Sequence, residues 1–147
     1  MHLSITTPRG AIVETEVEEV TAPGLVGEFG VLAGHVPLMA ALRPGVLVYR
    51  SGERATTLAV AEGFLQVAPV VTPGDAHGKA VDRVLVLVSD ALGAGSVNVA
   101  GAQKKLADAE AEIAGWKSAQ DGTYQTLLAR RDWALAQINA AARQNPS

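Results

Sequence analysis

Apolar and polar residues alternate in short runs as far as Asp90, and then take up a helical spacing. Leu3–Thr7 reads as a strand. Ala11–Ala22 alternates through Ile12, Glu14, Glu16, Val17 and Val20, predicting another, with Glu14, Glu16 and Glu18 on one solvated face. The turn Arg43-Pro44-Gly45 leads into Val46–Arg50, and Ser51-Gly52-Glu53 predicts a hairpin turn into Thr56–Ala61. Gly63 precedes Phe64–Val67, and Arg83–Val88 closes the set. Many short strands at this spacing predict a β-sandwich or barrel.

Past Leu92-Gly93-Ala94-Gly95-Ser96, expected as a linker, Ala102, Leu106, Ala109, Ile113 and Trp116 step by four, three, four and three. That spacing predicts one helix with a narrow apolar seam. Gln120-Asp121-Gly122 breaks the pattern. Thr123 is the expected cap of a second helix carrying Leu127, Leu128, Ala134, Leu135, Ile138 and Ala142, with Pro146 beyond its end. Two helices so closely joined fold back as an antiparallel hairpin. The expected division is a sandwich over 1–91, a linker over 92–96 and a helical hairpin over 97–147. At roughly 25 cal/mol per Å² of buried apolar surface, an alanine-rich seam attaches weakly. The hairpin is thus either a releasable appendage or a permanently docked one.

Composition narrows the function. Apolar residues make up 48% of the chain but aromatics only 4%, so Val, Leu and Ile must build the core. Without cysteine there is neither a disulfide nor a thiolate metal site. A net charge of −3 argues against a nucleic-acid partner held by phosphate neutralisation. Met1–Thr6 begins with strand-like alternation, so no signal peptide is expected, and no apolar run is long enough for a membrane span.

Candidate chemistry is sparse. His2, His35 and His77 lack a carboxylate or second histidine at metal-ligand spacing, and no metal is expected. No serine sits in a nucleophile elbow, and Gly93-Ala94-Gly95 lacks the lysine of a phosphate loop. Pro69 to Asp82, with Pro-Gly and His-Gly turn steps, reads as an extended hairpin loop between core strands. The densest signal is Gly24–Leu38, which holds four glycines, Glu28, His35 and Pro37. So tightly specified a segment reads as a presentation loop, with His35 in a loop hydrogen bond.

Val20-Thr21-Ala22-Pro23-Gly24, Gly27-Glu28-Phe29-Gly30-Val31 and Gly34-His35-Val36-Pro37-Leu38 resemble in order the pattern of the epsilon subunit of F-type ATP synthases, the mitochondrial delta equivalent. Leu42-Arg43-Pro44-Gly45, Ala61-Glu62-Gly63-Phe64-Leu65-Gln66-Val67 and Val86-Leu87-Val88-Ser89-Asp90 extend the resemblance. It implies a ten-stranded sandwich followed by two helices. The implied subunit is non-catalytic, needs no cofactor, and couples the membrane ring to the gamma shaft during ATP synthesis. Gly27, Glu28, Phe29, Gly30 and Val31 fall where the family meets the ring. His35, Leu38, Met39 and Ala40 fall on the side towards gamma. Arg130, Arg131 and Arg143 match a basic second helix that meets the alpha/beta head and blocks ATP hydrolysis. The nucleotide motif of some bacterial relatives is broken here, with Asn98 in place of Asp and Gly101 in place of Arg, so no ATP binding is expected. Pro69 to Asp82 is longer than the family's turn. The resemblance places the chain on the cytoplasmic face of a bacterial inner membrane, with an organellar inner or thylakoid membrane as the alternative. The competing readings are a free-standing sandwich with a ligand-responsive hairpin, and a small enzyme using His35 and Glu28.

Overall fold

The computed structural model describes residues 1–70, 81–116 and 122–144. Its strands are β1 (His2–Thr7), β2 (Gly10–Glu16), β3 (Glu19–Gly24), β4 (Gly27–Leu32), β5 (Leu38–Leu42), β6 (Gly45–Ser51), β7 (Arg54–Val60), β8 (Gly63–Val70), β9 (Val81–Val88) and β10 (Ala91–Gly93). A 3-10 turn (Ala94–Ser96) leads to helices α1 (Val99–Ala114) and α2 (Gly122–Gln144).

Strand pairing produces two five-stranded halves. One runs β4-β3-β6-β7-β10 and the other β5-β8-β9-β1-β2, and they meet where Gly24 of β3 pairs with Leu42 of β5. β1 lies parallel to β9, which sets Leu3 beside Val84 and Ile5 beside Val86. Those four side chains are fully buried, with Val20, Val31, Leu47, Val60, Leu65 and Val67 from the other strands. Period-two alternation thus turns aliphatic side chains from both halves into one core. Gly63 permits the close approach of β8 to β9, because a Cβ there would stand 1.9 Å from the Leu87 carbonyl oxygen.

The run Ala11–Ala22 is not one strand. Glu14 and Glu16 share the outer face of β2, but Val20 and Ala22 of β3 point into the core. Consecutive Glu18 and Glu19 reset the parity, and a shift of one residue exchanges the two faces. The chain crosses between halves at that point. The Val17 amide donates to the Met1 carbonyl at 2.8 Å, and the next amide, Glu18, donates to the Arg50 carbonyl at 2.9 Å. Glu18 lies in this bend and pairs with Arg50 at 3.1 Å.

The expected presentation loop is also largely strand. Gly27–Leu32 forms β4, paired along its length with β3 and with no other strand. Only the turn at Leu25-Val26 and the stretch from Ala33 to Pro37 lie outside strands. Leu92 and Gly93, in the expected linker, pair with Ala59 and Leu58 of β7. The middle of the stretch from Pro69 to Asp82 lies outside the described residues, as does the turn between the helices. Its ends close a hairpin, with Pro69 opposite Asp82.

Helix α2 lies on the outer face of β6 and β7. Val46, Ala59, Ala94 and Ala140 form a small buried cluster there, with Val48 and Trp133 packed against it. The seam of α1 is as expected, with Ala102 and Ala109 buried and Leu106, Ile113 and Trp116 partly so. That of α2 holds at Leu127 and Ala134, which are buried, and at Leu128 and Ile138, which are partly so, but Leu135 and Ala142 are exposed while Ala136, Gln137 and Ala140 are buried. The helix is covered on two sides, by α1 and by the sheet. Two-sided cover widens its buried arc, and small side chains let the backbones approach. Thr123, the expected cap, sits inside the first turn, where Thr126 Oγ1 donates to the Gly122 carbonyl at 3.1 Å.

Candidate functional site

Three surfaces distinguish this sandwich. The first is the tip of the β3–β4 hairpin. Leu25 and Val26 stand exposed at its turn, and Glu28 and Gly30 are exposed on β4. Phe29 is half-buried against the core, and Val31 is fully buried. Of the five residues matched to the ring contact, Glu28 and Gly30 are therefore the outward ones. The return to β5 is held by hydrogen bonds. The Gly34 amide donates to the Asp82 carboxylate, the His35 amide donates to the Leu32 carbonyl at 3.1 Å, and His35 Nδ1 donates to the Val36 carbonyl at 2.7 Å. Gly34 takes φ +84°, a conformation that side chains at Cβ disfavour. The turn thus presents a half-exposed His35 with the expected loop hydrogen bond.

The second surface is the outer face of β5, β8 and β9. Phe64 is 56% exposed and pairs directly with Leu87, itself 47% exposed; Met39 on β5 is 67% exposed. Exposed apolar residues that adjoin one another mark a surface that a partner covers. The opposite outer face of the sandwich is already covered by α2. Met39 belonged to the expected gamma-facing set. Leu38 packs against the core, and Ala40 sits opposite buried Leu65. Phe64 and Leu87 were missed. Their signal was the unbroken apolar run Val84–Val88, which implies cover on both faces of β9 rather than one.

The third surface is the seam between α2 and the sandwich, where a cleft of about 690 Å³ is bordered by Glu28, Arg43, Arg131, Asp132, Asn139 and Arg143. Arg143 Nη2 donates to Glu28 Oε2 at 3.1 Å, and Arg131 pairs with its neighbour Asp132 at 3.0 Å. Arg130 is exposed and makes no ion pair among the described residues.

Asn98, placed by the resemblance at a departed nucleotide-motif position along with Gly101, is the N-cap of α1. Asn98 Oδ1 accepts from the Gly101 amide at 3.0 Å, and a Cβ at position 101 would stand 3.0 Å from Asn98 Nδ2. The site is built as a helix cap.

His2 has the carboxylate neighbours that its place in the sequence did not reveal. Cross-strand register sets Glu16 against Nδ1 at 2.9 Å and Glu14 against Nε2 at 2.7 Å. Hydrogen bonds to Glu14 and then Glu16 raise the imidazole above its ordinary value of 6.5. Ser4, then His2, lower Glu14, and His2 lowers Glu16. No group of three His, Asp or Glu among the described residues is arranged to hold a metal ion. No described helix is long and apolar enough to cross a membrane.

Residues 1–72 match the family model described as ATP synthase, Delta/Epsilon chain, beta-sandwich domain. The ATP synthase epsilon chain of Anaeromyxobacter sp. (strain K) is 38% identical over 143 residues, covering 97% of this chain and 98% of the relative. That of Magnetococcus marinus is 37% identical over 140 residues, covering 95% and 93%. Among solved structures, a chain of the Euglena gracilis mitochondrial ATP synthase (OSCP/F1/c-ring) superposes with a TM-score of 0.71 at 22% identity, covering 94% of this chain and 79% of that one. A chain of the Tetrahymena thermophila mitochondrial ATP synthase central stalk and c-ring gives a TM-score of 0.59 at 12% identity, covering 98% and 95%. Sequence identity along the whole length and a shared sandwich-plus-hairpin fold lead to one conclusion: the chain belongs to the epsilon chain family of ATP synthase, whose members are non-catalytic subunits of that complex.

Proposed function

We propose that this chain works in the rotor of a proton-translocating ATP synthase, locking the gamma shaft to the membrane ring so that ring rotation reaches the catalytic head. The observation that carries the reading is the asymmetry of the sandwich. One outer face is covered by α2, while the other presents Met39, Phe64 and Leu87 uncovered. That face is the seat for gamma, with His35 at its margin. The hairpin tip, with Leu25, Val26, Glu28 and Gly30, is the seat for the polar loops of the c-ring. A core built from both sheets gives the stiff body that torque transmission needs.

The C-terminal hairpin is a regulatory arm. Docked on β6 and β7, it holds Arg143 in an ion pair with Glu28 of the sandwich. Released, it frees Arg143 to join Arg130 and Arg131 against the acidic surface of the alpha/beta head, which restrains ATP hydrolysis. The complex sits on the cytoplasmic face of a bacterial inner membrane, and the chain touches membrane only through its partners.

Co-assembly with purified gamma tests the main contact. Phe64→Asp with Leu87→Asp should abolish it while the variant chain keeps its β-sheet circular dichroism. Undiminished co-assembly by a folded double variant contradicts the reading.

A further inference from the structure

Glu28 stands at the crossing of two of the surfaces described above. It belongs to the exposed tip of the β3–β4 hairpin, and its Oε2 accepts from Arg143 in the last turn of α2. From these two positions we infer that Glu28 is a shared docking point. The carboxylate holds the hairpin down through Arg143, and a cation from a ring loop competes for the same group. This inference rests on the ring-contact reading of the tip.

The geometry makes the two uses antagonistic. β4 is bonded to β3 alone, so its outer edge carries Glu28 without a neighbouring strand. Arg143 approaches from the cleft side, across which Arg43 and Arg131 also lie. A further cation brought to the carboxylate meets the charge of Arg143 at close range, and like charges around one acceptor oppose each other. Engagement of the tip by a basic ring loop therefore weakens the hold on α2. The rest of the helix's attachment to the sheet is apolar packing around Trp133, Ala136 and Ala140, and the terminal ion pair is the polar contact of its last turn with the sandwich. Glu28 and Arg143 both keep about half of their side-chain surface exposed, at 49% and 47%, so either can change partners without a buried charge being stranded. Seating on the ring thus biases the hairpin towards release, and a docked hairpin weakens seating.

Hydrogen exchange of residues 139–144, measured on the full chain alone and in the assembled complex, tests this. In the isolated chain, Glu28→Gln and Arg143→Gln should each raise exchange by about two- to fivefold, the range of an exposed ion pair. The double variant should exchange no faster than either single. Unchanged exchange in both single variants overturns the inference and leaves the ring-contact reading standing. The charge swap Glu28→Arg with Arg143→Glu should restore protection in the isolated chain but not coupling in the complex. Restored protection together with normal coupling would instead remove the ring-contact reading. Assembly of the wild-type chain should raise exchange at 139–144, and assembly of Arg143→Gln should add little. An equal rise in both contradicts competition for Glu28.

Discussion

Arg143 and Glu28 lie 115 positions apart in the chain, and they meet across 3.1 Å. This contact ties the last turn of α2 to the edge of the sandwich. Its exposure makes it sensitive to ionic strength, since screening at 1 M salt reaches down to about 3 Å. Protection of the last turn of α2 should fall as salt rises, while amides of β9 should stay unchanged. Hydrogen exchange in low and high salt reads both at once.

Trp133 is the largest side chain in the packing between α2 and the sheet. Trp133→Ala removes its packing against the small cluster between α2 and the sheet and leaves the main core untouched. Core truncations of large aromatics cost about 3–5 kcal/mol, and a partly buried one about 2. The expected outcome is a hairpin cut readily by protease while residues 1–91 stay resistant. A single cooperative unfolding with unchanged proteolysis would show that α2 is held by something else.

The His2 clamp predicts a stability profile with two edges. His2 is raised in the folded state, so its contribution is full below about pH 6.5, the ordinary histidine value, and fades as pH rises through the folded value. Glu14 and Glu16 are lowered, so theirs is present above about pH 4.5 and fades as pH falls through their folded values. The clamp therefore contributes most between those limits. Urea unfolding of wild type and His2→Gln should differ most at pH 5 to 6 and converge as pH rises through the folded histidine value. A difference independent of pH contradicts the account.

Gly63→Ala should destabilise the sandwich severely. A Cβ at 1.9 Å from the Leu87 carbonyl oxygen forces β8 and β9 apart, and the obstruction is backbone rather than a side chain that can turn away. Overpacking of this kind costs about 3 kcal/mol or more. Denaturant melts should show an early midpoint, and a loss under about 1 kcal/mol would mean that the strands shift freely there.

Local patterning announced most of the fold. Val84, Val86 and Val88 alternate with Leu85 and Leu87, and Ser51-Gly52-Glu53 marks its own turn. Glycine density concealed β4, because Gly27 and Gly30 read as loop residues although Val31 anchors the strand in the core. The parity change at Glu18-Glu19 was visible but was absorbed into one long alternation. The buried side of α2 depends on two neighbours at once, which no single helical period encodes. The candidate surfaces were less legible still. Glu28 was picked out by its place in a patterned segment, but its partner Arg143 comes from the far end of the chain. The carboxylates around His2 come from register between β1 and β2.

The role proposed for this chain is to transmit rotation between ring and shaft. The most direct measurement is ATP-driven proton pumping per ATP hydrolysed, in membrane vesicles carrying the complex with Val26→Asp and Glu28→Lys at the sandwich tip. The account predicts hydrolysis maintained and pumping reduced several-fold, with the variant chain still present in the complex. Pumping per ATP equal to wild type would contradict it.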